Sequence, residues 1–310
     1  MNLTHQQKER LFPVTKDPQR ISTVISQLTK TKESIQKDAK VYYDEEKDKR
    51  TIQQYYRNID FINQNDDEFI RSLTQILEET HKNKVRYDPS EYVYPWVDLR
   101  PDGNLISIYS GKKRQAEEVI KEDYETSLRR EKEAEKELDA KNGRVMDQLA
   151  QIESNFKYNC EHSVPQSWFN EQEPMRGDLH HLFTCEPVCN SIRSNYPYHD
   201  FTDYTPEGIK ANRIEEACGK ADENLFEPEY GKGTVARAML YFLIRYPDRI
   251  EQSHMEGVDT GLLLEWHQNS PPDLYEKHRN QAIYEIQGNR NPFIDFPEKM
   301  NRPILADRKV

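Results

Sequence analysis

The first 84 residues of this 310-residue chain contain no glycine, and that absence narrows the fold before any other feature is considered. Glycine supplies the left-handed backbone used at tight turns and helix ends, so such a stretch has few places to turn sharply. Within it, RISTVISQLTKTKESIQKDAKVYYDEE and DEFIRSLTQILEETHK place apolar residues three and four positions apart, with Phe69, Leu73, Ile76 and Leu77 as the clearest set. Pro13 and Pro18 both precede the first long periodic run. The region reads as a helical hairpin or small bundle. An accessory role, binding a protein partner or self-associating, suits it better than chemistry.

Composition bounds the rest. Charged residues make up 32% of the chain and hydrophobic residues 35%, with a mean hydropathy of -1.02, so much of the surface should be exposed helix or loop. No apolar run approaches the roughly 18 residues of a transmembrane helix, which excludes a membrane-spanning role of that kind. The opening MNLTHQQKERLFPVTKDPQR has no apolar core of a signal segment, so cytoplasmic residence is expected, with leaderless or processed secretion as the second reading. The net charge is -11 and is unevenly spread. Residues 1–84 carry 15 Lys+Arg against 14 Asp+Glu, leaving 29 against 41 in the remainder. An acidic half that handles phosphate would need a metal ion or a local Arg/Lys cluster, because whole-chain charge does not set the charge of a cleft.

A different texture begins near Tyr87. VYPWVDLRPDGNLISIYSG has two β-prone runs around Arg100-Pro101-Asp102-Gly103, where Pro fixes one dihedral and Gly accepts a positive one, and this spacing predicts a hairpin. Residues 111–154 form a charge-dense helical stretch with the character of a solvated face. TVARAMLYFLIRYPD has core spacing at Val235, Met239, Phe242 and Leu243, and a last helix closes at Gly288.

Several chemistries drop out by motif. HExxH, GxSxG and GxGxxG are absent, and GKGT at 231–234 lacks the order of a phosphate loop. Cys160 and His162 lack the context of a nucleophile and its base. The four cysteines, Cys160, Cys185, Cys189 and Cys218, include no CxxC pair; the C-x3-C spacing in CEPVC is compatible with a disulfide or with free thiols, and buried free thiols are the first expectation. Residues 158–198 are richer. KYNCEHSVP reads as a short strand, DLHHLFTCE as a second, and PVCNSIRSNYP as a helix with Pro187 in its first turn. Glu161 and His162 would face opposite ways unless the chain turns there, and Pro165 offers the exit. The Glu161 carboxylate and the Asn190 amide oxygen are donors for a hard divalent cation that keeps several waters.

Three blocks, EHSVPQSWF, MRGDLHHLF and VCNSIRSNYP, resemble the bacterial endonuclease I family, nonspecific nucleases of the ββα-metal (His-Me finger) class. PWVDLRPDGNLISIYSGK upstream, and GTVARAMLYFLIRYP and RNQAIYEIQGNRNPFIDFPE downstream, extend the likeness over about residues 88–298. The resemblance implies an α+β fold: a ββα-metal nuclease core surrounded by helices, with a helical N-terminal region added. It divides the chain into a 1–84 accessory region and an 85–310 nuclease domain. By position it makes His162 the general base, Glu161 and Asn190 the metal ligands, and Arg193 an arginine near the scissile phosphate or in the supporting shell. Arg176 becomes a second phosphate contact by proximity. His180 and His181 are expected to pack behind the site, and Trp96, Trp168 and Phe169 to be core. Glu276, Arg279, Asn280 and Asn289 would brace the site from the C-terminal block. The implied cofactor is Mg²⁺, with Mn²⁺ or Ca²⁺ as substitutes. The implied reaction is cleavage of DNA, with RNA as a further substrate, to 5′-phosphate and 3′-hydroxyl ends.

Two rivals stay open at this point. One is a catalytically weak protein on a nuclease scaffold that binds nucleic acid or a partner. The other is a zinc protein using Cys160, Cys185, Cys189 and a histidine, weakened by the C-x3-C spacing.

Overall fold

A computed structural model describes residues 4–62, 64–140, 145–204 and 217–300. Its N-terminal part contains helices α1 (His5–Leu11), α2 (Pro18–Lys37), α3 (Glu45–Tyr55) and α4 (Asp66–Thr80). Local chemistry sets their starts. Asp17 caps α2, with Pro18 in the first turn, and the Asn65 side chain accepts from the Glu68 amide to cap α4. Burial of Ile21, Val24, Leu28 and Ile35 on α2, and of Phe69, Ile70, Leu73 and Leu77 on α4, gives each helix one apolar stripe.

Next come α5 (Pro89–Tyr92), strands β1 (Asn104–Ile106) and β2 (Lys113–Gln115), and helices α6 (Ala116–Ala140) and α7 (Val145–Asn155). The predicted hairpin is corrected here. Arg100–Gly103 does form a turn, with Gly103 at φ 76°, but the arm before it is helical, with Asp98 N–H donating to the Val93 carbonyl. Val93, Tyr94, Val97 and Leu99 are all buried, so the apolar run satisfies its backbone internally instead of pairing as a strand. The hairpin lies one step later, pairing Leu105 with Arg114. The charge-dense stretch is two helices, and its residues 141–144 lie outside the described residues.

The remaining elements are β3 (Cys160–His162), β4 (Leu182–Thr184), α8 (Pro187–Arg193), β5 (Gly219–Asp222), β6 (Leu225–Pro228), α9 (Lys232–Arg245), α10 (Gln252–Met255), α11 (Thr260–Asn269), α12 (Leu274–Gln287) and α13 (Pro292–Asp295). The sheets described are three antiparallel pairs, β1–β2, β3–β4 and β5–β6, so the fold is α+β with small sheets among many helices. Helix α9 is apolar nearly all round and runs through the main core with Phe69, Leu73, Leu77, Trp168, Phe169 and Phe183. A second core gathers Ile21 and Leu28 of α2, Val93, Val97, Val119, Ile120 and Ile283, together with Cys160 and Leu182 of the β3–β4 pair. The β3–β4 hairpin is thus wedged between two cores. That wedge positions the site.

Cys189 and Cys218 form a disulfide that ties α8 to the chain just before β5, so the expectation of four free thiols is corrected for these two. Cys160 and Cys185 are free and buried. With Cys189 engaged, the proposed zinc set loses a ligand, and among the described residues no group of three or more His, Cys, Asp or Glu is placed to hold a metal.

Candidate catalytic site

Pairing in the hairpin sets Cys160 against Thr184, Glu161 against Phe183 and His162 against Leu182. The strand ends at His162, so Glu161 and His162 both reach one cavity of about 310 Å³ despite their adjacent positions. Arg176, Asn190 and Lys157 line the same cavity. Four of the five expected site residues therefore meet there.

His162 Nε2 lies 2.9 Å from the backbone carbonyl of Arg176. A carbonyl only accepts, so Nε2 carries the proton and Nδ1 keeps its lone pair. Burial pushes the His162 pKa well below its ordinary value, with nearby His181 adding to the effect and the hydrogen bond to the Arg176 carbonyl working against it. The ring is therefore neutral, and it is held against Tyr87 at a centroid distance of 4.6 Å.

Glu161 is buried, and burial raises its pKa against the pull of Arg193, Tyr109 and Lys157. Its Oε1 accepts from the Tyr109 hydroxyl at 2.8 Å and pairs with Arg193 Nε at 3.2 Å. Tyr198 touches the Tyr109 hydroxyl at 2.9 Å and donates to the Ser163 carbonyl. Those contacts occupy Oε1 and leave Oε2 without a hydrogen bond among the described residues. Asn190 is turned by its Nδ2, which donates to the Cys160 carbonyl at 2.9 Å. Lys157 Nζ reaches the Asn190 Oδ1 at 3.3 Å and its carbonyl at 3.2 Å. An unengaged carboxylate oxygen and an oriented amide oxygen on residues that line one cavity suit a hard divalent cation, and suit a soft one poorly.

Arg193 has 0% exposure and does not line the cavity. It donates to the Ser163 and Ser194 carbonyls and pairs with Glu161, which is a supporting position rather than a phosphate contact. Arg176 does line the cavity. Its Nε donates to Gln166 at 2.8 Å and one Nη to the Arg10 carbonyl at 3.0 Å.

The residues expected behind the site are there. His181 Nε2 sits 2.6 Å from the Met175 carbonyl and His180 Nε2 3.4 Å from that of Asn289, and both rings are buried outside the cavity. Asp178 accepts from Tyr241, Tyr246 and Gln287 side chains. Burial opposes its charge, but the imidazoles of His81, His180 and His181 and the Gln287 amide hold its carboxyl well below the usual range. Arg279 donates to the Leu179 and Leu182 carbonyls and pairs with Asp98, whose other oxygen accepts from the Thr184 amide at 2.6 Å. Asn289 joins the same net through Tyr241 and Gln287, whereas Glu276 pairs with Arg237 of α9 and Asn280 holds Asn291. Trp168 and Phe169 are core, and Trp96 is partly buried against His278. Sequence reasoning missed Tyr109, Tyr198 and Lys157. Tyr109 stands in ISIYSGK, inside a block that carries the resemblance, but nothing in its spacing marks it as a partner of Glu161.

The small sheet and the following helix place a fixed imidazole beside a carboxylate and an amide in one cavity of an α+β scaffold. Residues 66–298 match the Endonuclease I family description, and the chain belongs to that family. The match takes in α4 as well as the hairpin. Among curated relatives, the chain is 37% identical over 136 residues to an extracellular ribonuclease of Bacillus amyloliquefaciens, covering 39% of this chain and 44% of the relative. It is 30% identical over 150 residues to a periplasmic deoxyribonuclease of Aeromonas hydrophila, covering 48% and 57%. Endonuclease-1 of Buchnera aphidicola is 28% identical over 139 residues, covering 44% and 51%. The chain spans about half the length of the curated relatives it matches. Cytoplasmic residence is corrected by these findings: the relatives named for a location are extracellular or periplasmic, and a disulfide such as Cys189–Cys218 belongs to an oxidising compartment.

Proposed function

We propose that the chain is a divalent-metal-dependent endonuclease that hydrolyses phosphodiester bonds of DNA, and of RNA, with little sequence preference. In this reading β3, β4 and α8 are its ββα-metal core. The observation that carries it is the His162 ring, pinned at Nε2 by the Arg176 carbonyl with Nδ1 free, in the cavity shared by Glu161 and Asn190. Names of relatives that include both a ribonuclease and a deoxyribonuclease support a site that does not depend on the sugar.

His162 Nδ1 takes a proton from water, and the oxygen attacks phosphorus in line with the departing 3′ oxygen, which takes up a proton from a solvent water, leaving 5′-phosphate and 3′-hydroxyl ends. Glu161 Oε2 and Asn190 Oδ1 would hold one Mg²⁺. When bound, that ion supplies the positive charge that stabilises phosphate oxygens and the leaving oxygen. Arg193 and Tyr109 keep the Glu161 carboxylate aimed, and Arg176 and Lys157 present positive charge to the phosphate. No base-reading module accompanies the site among the described residues, so backbone phosphate contacts dominate. An oxidising setting outside the cytoplasm suits the disulfide. The test is plasmid nicking with Mg²⁺, with and without chelator. Nicking that survives His162→Ala unchanged would rule out this mechanism, while nucleic-acid binding without turnover would favour the binding-protein reading.

A further inference from the structure

The N-terminal segment of α1 and the residues just after it lies outside the family match, which begins at residue 66, yet its Pro13 lines the catalytic cavity and its Arg10 contacts residues of the cavity wall. Leu11 is fully buried with Ala134, Leu149 and Ile152, which anchors the segment on α6 and α7. The Leu11 carbonyl accepts from Arg130 at 3.0 Å, and Pro13 lines the cavity itself. One residue earlier, the Arg10 guanidinium pairs with two carboxylates at once, Glu153 at 3.1 Å and Glu171 at 2.7 Å. Both carboxylates line the catalytic cavity, and each keeps about a quarter of its side chain exposed.

The charges around the cavity give these contacts a role. Arg130, Lys157 and Arg176 line it together with Glu153, Glu161 and Glu171. Glu161 has its own partners in Arg193 and Tyr109, which leaves Glu153 and Glu171 to repel an incoming polyanion unless Arg10 offsets them. Arg10 also fixes Arg176 through its backbone carbonyl, and that link survives any change of the Arg10 side chain. We propose that Arg10 is a substrate-positioning residue: by neutralising Glu153 and Glu171 it makes the N-terminal segment the wall of the cavity against which a phosphodiester strand lies. The inference rests on the nuclease reading above and assigns a working part to a segment that reading leaves idle.

Steady-state cleavage of a fluorescently labelled single-stranded DNA with Mg²⁺, at low and high salt, tests it. Arg10→Gln should raise KM about tenfold at low salt while kcat changes less, the size expected of unbalanced charges near a partly exposed phosphate. The defect should shrink at high salt, because exposed charges are screened. Adding Glu153→Gln and Glu171→Gln to Arg10→Gln should restore KM, and those two substitutions with Arg10 intact should leave KM at or below that of the unaltered protein. An unchanged KM in Arg10→Gln, a loss indifferent to salt, or a triple variant as weak as Arg10→Gln would each overturn the inference. Should Arg10→Gln not fold, a raised KM in the Glu153→Gln, Glu171→Gln variant overturns it instead. Failure of the unaltered protein to cleave sinks the nuclease reading, a different result from cleavage that ignores Arg10.

Discussion

His162 shows how little a single residue needs to be held as a neutral imidazole. One backbone carbonyl fixes the tautomer, and burial keeps the ring uncharged. Replacing it with Ala should lower kcat by at least about a hundredfold, in line with the usual contribution of a positioned base, with the thermal midpoint little changed. Tyr109 acts one step back. Its hydroxyl holds Glu161 Oε1 and so aims Oε2. Tyr109→Phe should weaken Mn²⁺ affinity about tenfold, read by direct titration of the metal, since supporting partners of ligands typically contribute that much. An affinity unchanged by that substitution would detach Tyr109 from the metal. The meeting of Glu161, His162, Asn190 and Arg176 in one cavity was legible in the sequence because they stand within or beside short contiguous blocks. Tyr109 was not, because its partner is 52 residues away.

Elements decide whether those residues stay in place. The β3–β4 pair is only three residues long per strand, so its own ladder contributes little and the two cores clamp it. Behind it, His180 is buried and its pKa is pushed down to about 3, chiefly by burial. A histidine depressed in the folded state contributes stability that is fully present above its unfolded pKa near 6.5 and is lost as pH falls from there toward 3. Between pH 7 and pH 5 the loss from this one group should be about 2 kcal/mol. Urea unfolding of His180→Gln should therefore depend less steeply on pH over that range than the unaltered protein does. On the other side of the site the disulfide closes a loop of sequence separation 29 between α8 and β5. Replacing Cys189 and Cys218 by Ser should cost about 3–4 kcal/mol in the chain-entropy account, measured as a lower urea midpoint. Helix positions were readable from apolar spacing. The Val93–Val97 run was not, because a short fully buried apolar run has the same pattern as strand or helix.

Across the whole molecule, buried ion pairs lock the helices to the hairpin. Asp98 and Arg279 meet deep in the protein and hold both the Thr184 amide and the Leu179 and Leu182 carbonyls. Arg279→Met leaves the Asp98 carboxylate buried without its partner, and should destabilise the fold by about 3–5 kcal/mol in urea unfolding. A change under about 1 kcal/mol would show that solvent reaches Asp98 and that the pair does not brace the site. The same scale accounts for a net charge of -11 in a chain read as a nuclease. The cavity carries local cations and oxygen donors, and its field is set by those neighbours more than by distant acidic surface.

The sequence alone determined what depends on local chemistry: capped helices with apolar stripes, the Gly288 helix stop, and the blocks that place a carboxylate, an imidazole and an amide in order. Those follow from backbone propensity and short spacing, which act within a few residues. Only the tertiary structure decided which oxygen of Glu161 stays free, that Arg193 stands behind the carboxylate instead of in the cavity, that Cys189 pairs with Cys218, and that the segment at Arg10 and Pro13 meets the cavity wall. Each of these depends on groups brought together by packing from distant parts of the chain, and packing is a property of the whole fold that no local pattern carries.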